Sequence, residues 1–184
     1  MILHISDTTR SQAKTPHNLF MLNLALFHLL MTPAIIVLDV GEIGMLLPLF
    51  LSLTVMIYTW RRANAAHDDW FIFAHWQLAV RRYRLLLIGY AVTAALLLLG
   101  WLLTLSTADP NMRDILQTVL LRIAVMPVVL MVMVDFYLES SALFQATNGE
   151  VPDGISKRFP PENNPPAATS ERAAESAPHT THPG

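Results

Sequence analysis

Residues 85–107 read LLLIGYAVTAALLLLGWLLTLST, with no ionisable side chain other than Tyr90. A helix rises about 1.5 Å per residue, and the hydrocarbon core of a bilayer is about 30 Å thick. About 20 apolar residues therefore cross it, and this stretch is long enough. It is also apolar on every side, whereas a soluble core helix carries a polar stripe every three or four residues. In lipid the backbone must satisfy its own hydrogen bonds, so the stretch reads as a membrane-spanning helix.

Three more runs, on either side of it, meet the same length. Residues 19–38 carry Asn23 and His28 as their notable polar members. Residues 43–60 carry only Ser52, two threonines and Tyr58. Residues 115–138 are interrupted by Gln117, Arg122 and Asp135. Four such runs leave no sequence to cover them as buried soluble helices. The expected fold is an all-α integral membrane protein with four transmembrane helices in a domain spanning 18–138. A polar N-terminal segment, 1–17, precedes it.

The whole chain of 184 residues is 53% hydrophobic but only 14% charged, with net charge −2 and no cysteine. The charge balance gives no field for nucleic acid. Disulfides, thiolate metal sites and cysteine nucleophiles are excluded. The few charges are sorted by position. Of the twelve Lys and Arg, five (Arg61, Arg62, Arg81, Arg82 and Arg84) lie in the 61–84 connection. The other two connections hold only Arg113 beside several acids. Basic connections stay inside, so both termini are expected in the cytoplasm, in a cell inner membrane.

Within 61–84, the segment WFIFAHWQLAV at 70–80 is too short to span. On a helical wheel Ile72, Phe73, Trp76, Ala79, Val80 and Tyr83 share one face, and Gln77, Arg81 and Arg84 another. An amphipathic helix lying on the inner leaflet is expected, with Asp68 or Asp69 as N-cap. Its membrane-surface or partner contacts would be Arg61, Arg62, Trp70, Phe73, Trp76, Arg81, Arg82 and Arg84. The remainder, 139–184, forms a cytoplasmic C-terminal segment. Seven of the twelve prolines lie beyond residue 147, which predicts a disordered tail from about residue 148.

Polar groups inside a membrane are functional candidates by default. Asn23, His28, Arg122 and Asp135 are the four. His28 falls near mid-bilayer, roughly 13 Å from the inner end. It is the candidate cofactor-binding residue, as a quinone hydrogen-bond partner, proton relay or haem ligand, against simple bonding to another helix. Arg122 is expected to pair with Asp39, Glu42 or Asp114 at the outer ends. Asn23 and Asp135 lie at one depth and invite a mutual contact. Pro33, Pro48 and Pro127 each interrupt a span. His67, Asp68, Asp69 and His75 could be read as metal ligands, but the two histidines do not share a helical face, which argues against a metal site.

No catalytic motif stands out. The leading expectation is a non-catalytic accessory subunit or assembly factor of a larger membrane complex. Its partners would be the lipid bilayer and either another membrane protein or further copies of itself. The alternatives are a redox or quinone-associated subunit built around His28, and a small oligomeric transporter. The sequence assigns no cofactor.

Overall fold

The computed structural model describes residues 3, 5–38, 40, 41, 44, 46–65, 67 and 69–161. Among these it is all-helical, with no strand. Helix α1 (Asp7–Asn23) continues through a π-helical stretch (Leu24–Met31) into α2 (Thr32–Val37). Then follow α3 (Leu46–Ala63), α4 (Trp70–Leu105), α5 (Pro110–Asn148) and the single turn α6 (Asp153–Ser156). Three helical runs are long and apolar enough to cross a membrane: Asp7–Ile35, Trp70–Leu105 and Pro110–Asn148. The second expected span, 43–60, forms α3, which ends in Arg61 and Arg62; Ile43 and Met45 lie outside the described residues.

Three segments differ from the sequence-based expectation, each for a local reason. The N-terminal segment is not separate from the first span, because α1 begins at Asp7. The Ser6 hydroxyl accepts from the Thr9 N–H at 3.2 Å and caps the helix. Ala13, His17, Phe20 and Leu24 then recur at helical spacing and are all buried.

The expected surface helix and third span are one uninterrupted helix. Asp69 caps α4, accepting from the Phe71 N–H at 2.8 Å. Nothing between Val80 and Leu85 breaks a helix, so α4 runs for 36 residues, or about 54 Å. That exceeds the hydrocarbon core by several turns. Its first half is buried against protein: Trp70, Phe71, Ala74 and Leu78 pack with Ala13 of α1 and with Ala142 and Ala146 of α5.

The chain beyond residue 148 does not become structureless at once. Gly149 adopts φ +73, the left-handed C-cap position, and α5 ends there. Val151 and Ile155 then bury themselves in the cluster around Trp70, and Phe159 packs against its edge. The Trp70 indole N–H donates to the Phe159 carbonyl at 2.8 Å. Four-residue spacing of three apolar side chains gives this stretch a face to dock. The rest of the expected tail, 162–184, lies outside the described residues.

These contacts gather the start of α1, the α3–α4 connection and the end of α5 at one pole. Leu3 N–H donates to the Gly149 carbonyl at 2.9 Å, and Gln77 donates to the Ala63 carbonyl at 3.0 Å. A second apolar cluster lies above, built from Phe20, Leu24, Met56, Tyr83, Leu86 and Val132. Phe20 and Tyr83 stack at 3.8 Å between ring centres.

Proline shapes the first run. The Pro33 ring cannot coexist with a regular turn below it. The helix widens just before it, and the Thr32 N–H reaches five residues back to the Phe27 carbonyl. The Thr32 hydroxyl donates to the same carbonyl at 2.8 Å. Pro48 sits in the first turn of α3, where proline is cheap, and Pro127 lies inside an unbroken α5.

A Cβ on Gly149 would meet the Leu3 carbonyl oxygen at 2.6 Å, in a left-handed conformation. Gly149→Ala is expected to destabilise the protein by at least about 1–2 kcal/mol. Thermal unfolding in detergent measures the loss, and faster proteolysis near Leu3 locates it.

Candidate functional site

Glu139 on α5, His17 on α1 and His75 on α4 are all fully buried. His17 Nδ1 lies 2.6 Å from Glu139 Oε2. His17 Nε2 lies 2.9 Å from His75 Nδ1, and the two rings meet edge-on. His75 Nε2 lies 3.2 Å from the Glu150 carbonyl. A carbonyl only accepts, so His75 donates through Nε2–H, and the neutral ring leaves Nδ1 as the acceptor for His17 Nε2–H. The short His17–Glu139 bond then also holds a proton. Arg82 Nη1 stands 3.3 Å from Glu139 Oε1 and donates to the Leu138 carbonyl, which ties α4 to α5.

One turn along α5 lies Asp135, also fully buried, and neither of its oxygens has a hydrogen-bond partner. The expected Asn23–Asp135 contact is not formed. Asn23 donates to the Tyr83 hydroxyl at 3.5 Å instead, and its own Oδ1 is unpartnered. Farther along α4, the Tyr90 hydroxyl bonds both His28 Nε2 and Ser52 Oγ, the latter at 3.0 Å. From His75 to Tyr90 these layers extend about 22 Å along α4.

The last layer forms the polar end of a cavity of about 830 Å³. His28 and Thr32 of the first run, Pro48 of α3, Tyr90 to Leu105 of α4 and Arg113 to Val132 of α5 line it. Its walls are largely leucine and valine. Thr104, Arg113 and Gln117 stand at the opposite end, where Arg113 donates to the Thr107 carbonyl at 2.8 Å. From Tyr90 to Thr104 the cavity runs about 21 Å along α4. It is an apolar trough with hydrogen-bonding groups at both ends.

The candidates read from the sequence are dispersed. His28 lies in the cavity wall. Arg122 is exposed and shares a shallow hollow with Asp114; its other expected partners, Asp39 and Glu42, lie outside the described residues. Trp70, Trp76 and Arg82 are buried rather than presented at a surface, and Phe73 is half-buried. Arg61, Arg62, Arg81 and Arg84 are exposed. His67 bonds the Arg62 carbonyl at 3.0 Å and stacks on Trp76, away from His75; Asp68 lies outside the described residues.

Sequence reasoning misses His17 and Glu139, which fall in segments expected to lie outside the helical domain. The signal is present as spacing. His17 sits in the Ala13–Phe20–Leu24 stripe, and Glu139 follows Asp135 by one turn and precedes Ala142 and Ala146. No family model matches the chain, and no curated protein or solved structure matches it either.

Removing one member of a buried charged pair strands the other, at a cost of about 3–5 kcal/mol. Glu139→Ala is expected to lose stability on that order in denaturant unfolding of the detergent-solubilised protein. The double variant Arg82→Met, Glu139→Leu should recover part of it, because the guanidinium is no longer stranded although His17 still loses its carboxylate partner.

Proposed function

We propose that this chain is a non-catalytic accessory subunit of a membrane complex that holds a quinone-like amphiphile in its lateral cavity. The observation that carries this reading is the polar end formed by His28, Thr32 and Tyr90, with Ser52 bonded behind Tyr90, on an otherwise apolar trough. A quinone head offers carbonyl oxygens to such donors, and its long apolar tail suits walls of leucine and valine. Arg113 and Gln117 at the far end close the trough with polar groups.

Helix α3, 18 residues and about 27 Å long, serves in this reading as a fourth span. The packed pole faces the cytoplasm of an inner membrane, and both ends of the described chain lie there. Exposed Arg61, Arg62, Arg81 and Arg84 support that orientation. They form a basic rim suited to anionic headgroups, each contributing about 1 kcal/mol near such a surface. The apolar outer faces of α4 and α5, including Leu98, Trp101, Leu102 and Met133, meet lipid or a partner's helices.

A short-chain ubiquinone is expected to raise the unfolding temperature of the purified protein. At a concentration 100 times its Kd the stabilisation is about 2.7 kcal/mol. Leu97→Trp, which fills the trough, and Tyr90→Phe, which removes the central hydroxyl, should abolish or reduce the shift. Absence of any shift, together with no quinone extracted from protein purified from native membranes, removes the ligand. Migration as a lone chain in mild detergent removes the accessory role.

A further inference from the structure

Several buried oxygens of the interior have no hydrogen-bond donor: Asn23 Oδ1, both oxygens of Asp135, and Glu139 Oε1, which faces the Arg82 guanidinium at 3.3 Å without a hydrogen bond. All four are acceptors. Asp135 and Glu139 stand one turn apart on α5, with Cβ atoms about 5–6 Å from each other. Acceptors without donors at adjacent positions share one chemical want, a proton or another small cation. Among the described residues no group of three His, Asp or Glu is arranged to hold a metal ion. Arg82 already places a positive charge beside Glu139, which disfavours a second metal-like charge. A proton needs only one oxygen, and it converts a carboxylate into a donor that can serve a neighbouring acceptor.

We propose that Asp135 is a proton-binding site in the protein interior, supplied from the packed pole through His75, His17 and Glu139. As far as Glu139 the route consists of existing contacts, and the last transfer, to Asp135 one turn along α5, is one for which no hydrogen bond is yet formed. The Glu150 carbonyl, 3.2 Å from His75 Nε2, marks its entrance, and the steps of 2.9 and 2.6 Å lead through both imidazoles to Glu139. Imidazole suits this task because it takes a proton on one nitrogen and releases one from the other. Release of the Nδ1 proton of His17 to Glu139, and from Glu139 to Asp135, leaves a neutral imidazole. A proton entering at His75 Nε2 restores it once both imidazoles have switched tautomer, so that each carries its hydrogen on Nδ1 and His75 hands that hydrogen to His17 Nε2. One proton enters and one is delivered, so no charge is created on the path.

Interior ionisable side chains come from four elements. His17 comes from α1 and His28 from the π-helical stretch. His75, Arg82, Tyr83 and Tyr90 come from α4, and Glu139 from α5. Helix α3 adds the hydroxyls of Ser52 and Thr59 and no buried ionisable group. Val132, one turn beyond Asp135, already lines the cavity. The proton site does not depend on what fills that cavity.

Infrared difference spectroscopy of the full chain in lipid nanodiscs, between alkaline and acidic buffer, tests the site. A carboxylic-acid carbonyl band should rise on acidification, shift in D2O, vanish in Asp135→Asn and persist, displaced, in Asp135→Glu. His17→Phe or His75→Phe should slow its hydrogen–deuterium exchange by about a hundredfold. No band assignable to Asp135 overturns the site, and suppression of the band by sodium alone at fixed pH overturns it in favour of a sodium site. Exchange unchanged by the histidine variants overturns the route. Should those variants fail to fold, the wild type still decides: a band that does not exchange in D2O also overturns the route.

Discussion

The contact of Glu139 with both His17 and Arg82 ties α1, α4 and α5 together at a single carboxylate. Its position explains the shape of the molecule. Apolar burial drives helices together only where water is the competing solvent, because lipid tails are as apolar as leucine. In the proposed membrane arrangement that force is available at the packed pole, where Trp70, Phe71, Val151 and Ile155 cluster. Farther along, association relies on close packing and polar contacts. Beyond Leu86, α4 buries only Gly89, Gly100 and Thr104, and a Cβ on Gly89 would meet Met131 Cγ at 2.9 Å. Small residues thus hold α4 against α5 there. The first run and α3 close on that pair only as far as Tyr90, which His28 and Ser52 both bond, and the cavity is the space beyond that contact.

The apolar stretches are plain in the sequence because a lipid-facing helix must be apolar all round. Residues 85–107 announce themselves by composition alone. Where helices continue past the membrane, that signal ends although the helix does not. The run from Trp70 to Arg84 reads as a separate surface element because its polarity differs from that of residues 85–107. A change of solvent does not interrupt backbone hydrogen bonding, and no Gly or Pro stands there to do so. The same change of solvent conceals His17 and Glu139. Both look like polar residues of solvated termini, and only their spacing within apolar stripes marks them as interior. His28 is legible for the opposite reason, being a lone imidazole within leucines. Its bond to Tyr90 is not, since nothing in a sequence aligns positions 62 residues apart on different helices.

Stability alone does not account for so many buried polar groups. Apolar residues of equal volume would hold three helices together as well or better, because each buried ion carries a desolvation cost that its partner only offsets. A purely structural clamp would also be complete, with every donor matched to an acceptor. Here the matching stops at Asp135, where the acceptors outnumber the donors. The imbalance lies between a hydrogen-bonded imidazole pair on one side and the hydroxyl-lined end of a cavity on the other. A network matched at the packed pole and unmatched at Asp135, one turn from the cavity-lining Val132, has the arrangement that the proposed inward proton transfer requires. The shortage of donors at Asp135 is therefore better understood as room for an exchangeable proton than as a flaw in the packing.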